Sequence, residues 1–77
     1  MNVKIIKPDT TLYDGTANLI QLPGTGGLFE IMNNHAPIIA SLASGQVRIV
    51  SEEGEKLFDI KAGVVKGQKN EILILAQ

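Results

Sequence analysis

The chain has 77 residues, of which 44% are hydrophobic and 19% charged, and its net charge is −1. A chain of this length supports one hydrophobic core, so we expect a single domain over residues 1–77. The absence of cysteine excludes a disulfide framework and a thiolate metal site, and the nearly neutral charge offers no basic surface for nucleic acid.

No stretch of the sequence has the length that a membrane-spanning helix requires. Lys4 and Lys7 interrupt the first apolar run, which also lacks the pattern of a signal peptide. We therefore expect a soluble protein that does not insert into a membrane.

The apolar runs are short and rich in isoleucine and valine, and this composition favours β-strands. They lie at 3–7, 16–22, 28–32, 46–50, 56–60, 62–66 and 71–76. Turn-forming residues separate them at 13–15, 23–27, 52–54 and 67–70. Turn signals at such close intervals predict an all-β sandwich or barrel.

Two of these runs indicate how their strands are covered. In 46–50, Val47 and Ile49 share one face, which is typical of a half-exposed strand. The run 71–76 is apolar on both faces, so it is either covered on both sides or has one face against another protein.

Gly54 predicts a hairpin between 46–51 and 55–60, because glycine accepts the positive φ of a tight turn.

Residues 35–45 fit two descriptions. Pro37 lies early in the segment, Ala40 and Leu42 lie inside it and Gly45 ends it, which are signals of a short helix. Ile38 and Ile39 are equally suited to a strand. The residues alone leave both structures open.

The glycine cluster at 24–27 does not match a phosphate-binding motif. Phe29 stands where a dinucleotide fingerprint requires its third glycine, and no Gly-Lys-Ser/Thr sequence follows. We therefore predict a mobile loop or wide turn, and no nucleotide site.

His35 is the only histidine and has no catalytic companions in the sequence. The serines lie outside any nucleophile motif, and Asp14 and Glu30 do not have metal-ligand spacing relative to it. Because catalysis requires a constellation of groups, we expect His35 to fix a loop through its ring nitrogens or to contact a partner. Neither catalytic nor metal-binding residues are predicted, and no cofactor is expected.

Residues 22–39 resemble the signature of the ε subunit of rotary F-type ATP synthases, which runs LPG-x-x-G-E-x-G-I-L-x-x-H-A-P-L-L and continues L-x-x-G-x-V-R-I. Leu42, Gly45 and residues 47–49 continue it at the right spacing. The flanks at 4–15, 62–65 and 72–76 also match the family, so the resemblance covers essentially the whole chain. It implies a flattened sandwich of two β-sheets with about 8–10 short strands.

The resemblance also implies a role in the central stalk of the synthase. The subunit would be non-catalytic, would bind the γ subunit and contact the c-ring, and would couple proton translocation to ATP synthesis at the cytoplasmic face of the bacterial inner membrane. Residues 35–42 would then form a strand against γ, and residues 24–34 would approach the c-ring. The residues implied on the γ side are His35, Ala36, Pro37, Ile39 and Leu42, and those on the c-ring side are Gly26, Gly27, Leu28, Glu30 and Met32.

The sequence departs from the family pattern at three places. Leu28 stands where an acidic residue is common, and Glu30 stands where glycine is common. Residues 33–34 are Asn-Asn in place of a Pro-Gly turn. The chain ends at Gln77, where the family continues into two helices, so we expect a short form without that inhibitory segment or its nucleotide site.

Two other classes of function are compatible with parts of the sequence. A free-standing β-barrel that carries a group or binds a small molecule would need an exposed lysine at a hairpin tip, for which Lys56 and Lys69 are the candidates. A small hydrolase would have to use His35 and Glu30.

Overall fold

A computed structural model describes all residues from Met1 to Gln77 as nine β-strands without a helix. The predicted all-β sandwich is confirmed, as is the number of strands. The strands are β1 (Asn2–Lys7), β2 (Thr10–Thr16), β3 (Leu19–Gly24), β4 (Gly27–Met32), β5 (Ile38–Leu42), β6 (Gly45–Ser51), β7 (Gly54–Ile60), β8 (Gly63–Gln68) and β9 (Glu71–Ala76).

The strands form two layers that are continuous through one corner. The first sheet has the order β2-β1-β9-β8-β5, and the second has the order β4-β3-β6-β7. They join where Leu42 of β5 pairs with Gly24 of β3. The pair β1–β9 is parallel and the other pairs are antiparallel.

The core lies between the two layers and is built mainly from inward-facing residues of the strands. Alternate side chains of a strand point to opposite faces, so every second residue enters this space. The fourteen buried apolar residues are Val3, Ile5, Ala17, Ile20, Leu22, Ile31, Leu42, Val47, Ile49, Ile60, Val65, Ile72, Ile74 and Ala76. The predicted inward face of 46–50, with Val47 and Ile49, is confirmed.

The hairpin turns agree with the sequence at one position and differ at another. Gly54 has a φ of 117° and begins β7 directly after the turn at residues 52–53, so the predicted hairpin is confirmed. The predicted turn at 13–15 is wrong, because these residues continue β2, and the turn lies instead at residues 8–9. Pairing with β1 across the whole of β2, including a register shift between Ile5 and Ile6, overrides the local Asp-Gly signal.

The glycine cluster forms a tight turn, and the expected mobile loop or wide turn is wrong. Only residues 25–26 separate β3 from β4, and Gly24 pairs directly with Gly27. Gly27 has a φ of 126°, a conformation that side-chain-bearing residues rarely adopt. This closure holds β3 and β4 together as a hairpin.

Residues 38–42 form strand β5, as the family resemblance implied, and the helical alternative is wrong. Five residues of β5 pair with residues 63–67 of β8. These backbone pairs and the β-branched Ile38 and Ile39 outweigh the helix signals of Pro37 and Ala40.

Candidate functional site

The outer face of the first sheet carries an apolar patch. We define the apolar patch as Ile6, Ile39, Val64, Leu73 and Leu75. Ile39 is 73% exposed, Leu75 52% and Val64 42%, while Ile6 and Leu73 are half-buried. Contiguous exposed apolar surface of this kind marks an interaction site.

Strand register makes the apolar patch continuous across four strands. Leu75 of β9 lies between Ile6 of β1 and Val64 of β8. Ile39 of β5 is opposite Lys66, which lies two residues after Val64 on the same face of β8. Ile39 is therefore a diagonal neighbour of Val64. The run 71–76 thus has one face in the core and one face at the surface.

Positive charge borders the apolar patch. Leu73 lies between Lys4 of β1 and Lys66 of β8, and both lysines are exposed. A partner surface with acidic side chains at these two positions would complement them.

A cleft of about 520 Å³ opens at one end of the apolar patch. Ile6, Pro8, Val64 and Leu75 are among its lining residues, together with Lys7. The patch therefore has relief as well as area, which gives a partner side chain a place to insert.

The β3–β4 hairpin forms a second exposed surface on the opposite side of the molecule. Leu28 is 69% exposed and Met32 58%, and Glu30 between them is also exposed. All three point from β4 to the outer face of the second sheet. Gly26 and Gly27 lie exposed at the tip.

Glu30 lacks a cationic partner. The amide nitrogen Nε2 of Gln21 is 3.5 Å from its carboxylate oxygen Oε2, which is a long contact. The nearest arginine along the same cross-strand row, Arg48, forms an ion pair of 2.7 Å with Glu55 instead. The charge of Glu30 is thus available to a partner.

His35 packs into the loop that precedes β5. Its Nδ1 donates to the carbonyl of Ala36 at 3.0 Å, and its Nε2 is buried without a hydrogen-bond partner. The ring lies against Gly67 of β8. One ring nitrogen therefore fixes the loop and the other does not.

The remaining residues expected on the γ side separate into surface and core. Ala36, Pro37 and Ile39 are exposed. Leu42 is only 3% exposed and packs in the core. Its side chain is not available for surface contact, because the inward parity that Leu42 shares with Ile38 and Ala40 directs it between the sheets.

The surroundings of His35 bear on the hydrolase alternative. Glu30 and His35 line the same cleft, but none of the residues that line it is a serine, threonine or cysteine. No group of three histidine, aspartate or glutamate side chains is placed to hold a metal ion. The structure contains no helix that could span a membrane.

The two lysines considered for a carrier role differ in position. Lys56 lies within β7, with its Nζ 5.5 Å from the centre of the Tyr13 ring. Lys69 is at the tip of the β8–β9 hairpin, where it and Asn70 have φ values of 51° and 58°. Positive φ at both central residues is the geometry of a type I′ turn, so a structural role explains this tip.

The outward-facing Ile6 and Val64 were not singled out from the sequence. Ile6 lies in a run that is apolar at consecutive positions, and Val64 precedes the buried Val65. The two-faced run 71–76 indicates an apolar outer face, but the strands that continue it are determined by the strand order, which the sequence does not contain.

Comparison with known proteins gives one family over the full length. The sequence profile described as "ATP synthase, Delta/Epsilon chain, beta-sandwich domain" matches residues 1–77. The ATP synthase epsilon chain of Leptospira borgpetersenii serovar Hardjo-bovis (strain JB197) is 35% identical over 75 residues, which are 97% of this chain and 59% of that protein. The epsilon chain of Chlorobium limicola is 35% identical over 74 residues, 95% of this chain and 84% of that protein.

The fold also occurs in a solved synthase. A chain in the cryo-EM structure of the Tetrahymena thermophila mitochondrial ATP synthase central stalk and c-ring superposes with a TM-score of 0.81 at 18% identity, covering 99% of this chain and 62% of that chain. The present chain thus spans less than two thirds of the Leptospira protein and of the Tetrahymena chain, and 84% of the Chlorobium protein. The full-length profile match and the identity to these relatives show that the chain belongs to the family of ATP synthase delta/epsilon chains. Residues 1–77 correspond to the β-sandwich domain of that family.

Proposed function

We propose that this chain acts as a non-catalytic subunit of the central stalk of an F-type ATP synthase, where it binds γ and contacts the c-ring. The observation that carries the proposal is the family match over residues 1–77, which includes every strand of both surfaces described above. The role is mechanical: the domain links proton-driven rotation of the c-ring to γ, and so to ATP synthesis.

The apolar patch is the proposed contact with γ. Interfaces that persist through a working cycle are apolar at their centres and resemble a domain core cut in half. Ile39 lies on this patch, and Ala36 and Pro37 lead into its strand. Val64 and Leu75 extend the contact beyond the segment that the sequence indicated.

The β3–β4 hairpin is the proposed contact with the c-ring. Gly26 and Gly27 at its tip lack side chains, so another backbone can approach closely there. Glu30 supplies a charge that is not neutralised within the chain. Because the apolar patch and the hairpin lie on different sheets, the domain can bind two partners at once.

We propose the cytoplasmic face of the bacterial inner membrane as the location of the chain, as a peripheral part of the complex. The bacterial origin of the related epsilon chains supports that location. No cofactor has a part in the proposed role.

Copurification with γ and the c-ring of the same synthase tests the proposal. Leu75→Lys places a charge in the apolar patch, whereas Leu57→Lys places one on the outer face of the second sheet at almost equal exposure, 52% against 51%. Loss of one buried leucine contact is worth about 1.5–3 kcal/mol. We therefore expect Leu75→Lys to weaken γ binding at least about tenfold, and Leu57→Lys to leave it unchanged.

Circular dichroism and urea unfolding of both variants establish that the fold is retained. If the parent chain is folded and yet fails to associate with γ and the c-ring, the proposed role is wrong. Equal weakening by both lysines would show that γ does not bind through the apolar patch.

A further inference from the structure

Strand β4 has an unpaired edge. It pairs with β3 on one side and with no strand on the other. Pro23 has no N–H and lies opposite Leu28, so the residues that exchange hydrogen bonds across this hairpin are the alternate ones, including Leu22 with Phe29. The N–H and C=O groups of Leu28, Glu30 and Met32 therefore point away from β3, along the open edge.

The other two terminal strands are protected from strand addition. The ring of Tyr13 of β2 packs edge-to-face on the ring of Phe58 of β7, with the ring centroids 5.8 Å apart. The β1–β2 pair contains a register shift, and β7 carries Glu55, Lys56 and Asp59. Bulges, charges and coverage are the devices by which proteins block edge-to-edge association.

β4 has none of these protections except one charge. Its sequence, GLFEIM, contains neither lysine nor proline, and its pairing with β3 has no register shift. Beside it lies a cleft of about 410 Å³, whose lining includes Glu30 and Met32 of β4 and residues 35–38. The edge is thus both unpaired and accessible.

We propose that the free edge of β4 binds an extended segment of a partner protein as an added strand. Backbone groups of Leu28, Glu30 and Met32 would supply the hydrogen bonds, and alternate side chains of the segment would supply the specificity. In the added strand, the residues opposite Leu28 and Met32 are apolar. The residue opposite Glu30 is basic, because Glu30 has no cationic partner within the chain.

A second copy of the chain fits this edge less well. Antiparallel pairing of two β4 strands about their centre would match Leu28 with Met32 but would set Glu30 against Glu30. Like charges directly opposite one another are destabilising. Glu30 therefore disfavours self-association and favours a basic partner.

The proposal concerns the edge of β4 and holds whether or not the chain serves in a stalk. Its test uses the 77-residue chain and a synthetic peptide, acetyl-Ser-Thr-Val-Thr-Lys-Thr-Val-Thr-Ser-amide. When its lysine faces Glu30, its two valines face Leu28 and Met32. The measurement is amide hydrogen exchange by NMR with and without the peptide.

The expected result is an alternating pattern. Amides of Leu28, Glu30 and Met32 exchange fast in the free chain and slow when the peptide is bound, whereas those of Phe29 and Ile31 are protected in both states. Binding that slows none of the three edge amides, or no binding at all, would overturn the proposal.

Charge exchange provides the matched control. The parent chain should prefer the lysine peptide over one with glutamate at that position by about fivefold, and Glu30→Lys should reverse the preference. Equal affinity of both peptides for both chains would show that Glu30 does not face the added strand. Protection of the same amides by dilution-sensitive dimerisation, without peptide, would identify a second copy as the occupant and refute the heterologous pairing.

Discussion

Gly67 of β8 occupies a position with no room for a side chain. A Cβ built there lies 2.6 Å from Cδ1 of Ile72, 3.0 Å from Cε1 of His35 and 3.1 Å from Cγ2 of Ile38. Overpacking of this kind costs about 1–3 kcal/mol, while replacing glycine by alanine in a strand returns about 0.5–1 kcal/mol. We therefore expect Gly67→Ala to lower the free energy of unfolding by about 1 kcal/mol net.

The closest of these contacts can be removed separately. Ile72→Val deletes Cδ1, and alone it should cost about 0.5–1.5 kcal/mol as an ordinary core truncation. In the Ile72→Val background only the contacts with His35 and Ile38 remain, so Gly67→Ala should cost less than in the parent chain and the two changes should couple favourably by up to about 1 kcal/mol. For a domain of this size that is about 4–8 °C in Tm.

Urea unfolding followed by circular dichroism measures all four chains of this cycle. Gly26→Ala is the matched control, because a Cβ at Gly26 meets no atom within 4 Å. It should leave stability nearly unchanged. If the effects of Gly67→Ala and Ile72→Val simply add, the 2.6 Å contact is not the cause of the destabilisation and the reasoning is refuted.

Two further pairs of variants test which residues of β5 lie in the core and whether the backbone at Asn70 is strained. Leu42→Ala should lower the free energy of unfolding by about 2–5 kcal/mol because Leu42 is 3% exposed. Ile39→Ala should change the free energy of unfolding by less than about 0.5 kcal/mol. Urea unfolding that gives equal values for the two variants would contradict the assigned orientation of β5. Asn70 has a φ of 58°, and its Oδ1 accepts from the N–H of Asn34 at 2.8 Å. By thermal unfolding, Asn70→Ala should lower the free energy of unfolding by about 1–2 kcal/mol more than Asn70→Gly, because alanine tolerates this positive φ less well than glycine. Equal Tm values for the two Asn70 variants would show that the backbone conformation carries no strain.

The local features of the fold were predictable because they rest on neighbouring residues. The alternation of Val47 and Ile49 determines which face of β6 is buried, and Gly54 determines where its hairpin turns. Both signals lie within a few residues of the structure they specify, and the pairing of β6 with β7 agrees with them.

The features that the residues alone left open depend on pairing between distant segments. Residues 38–42 became a strand because β8, more than twenty residues later in the sequence, pairs with all five of them. The turn predicted at 13–15 was replaced by strand because β1 extends along it. Local propensity is weak relative to a ladder of backbone hydrogen bonds.

The candidate surface was predictable in kind and only partly in residues. Ser41 lies on the same face of β5 as Ile39, and a polar residue at that parity indicates the outward side. Leu42, at the other parity, could therefore have been assigned to the core from the sequence. Val64 and Ile6 could not, because their place in the apolar patch follows from the strand order, which no local pattern contains.

β9 shows how one short strand can serve both stability and binding. Ile72, Ile74 and Ala76 fill the core, while Leu73 and Leu75 face outward. Leu73 lies between Lys4 and Lys66, and Leu75 lies beside Ile6. The flanking lysines give this apolar face a charged border, and their like charges oppose contact between two identical faces. An apolar outer face with a charged border is therefore compatible with a stable free chain and with a partner that brings the opposite charge.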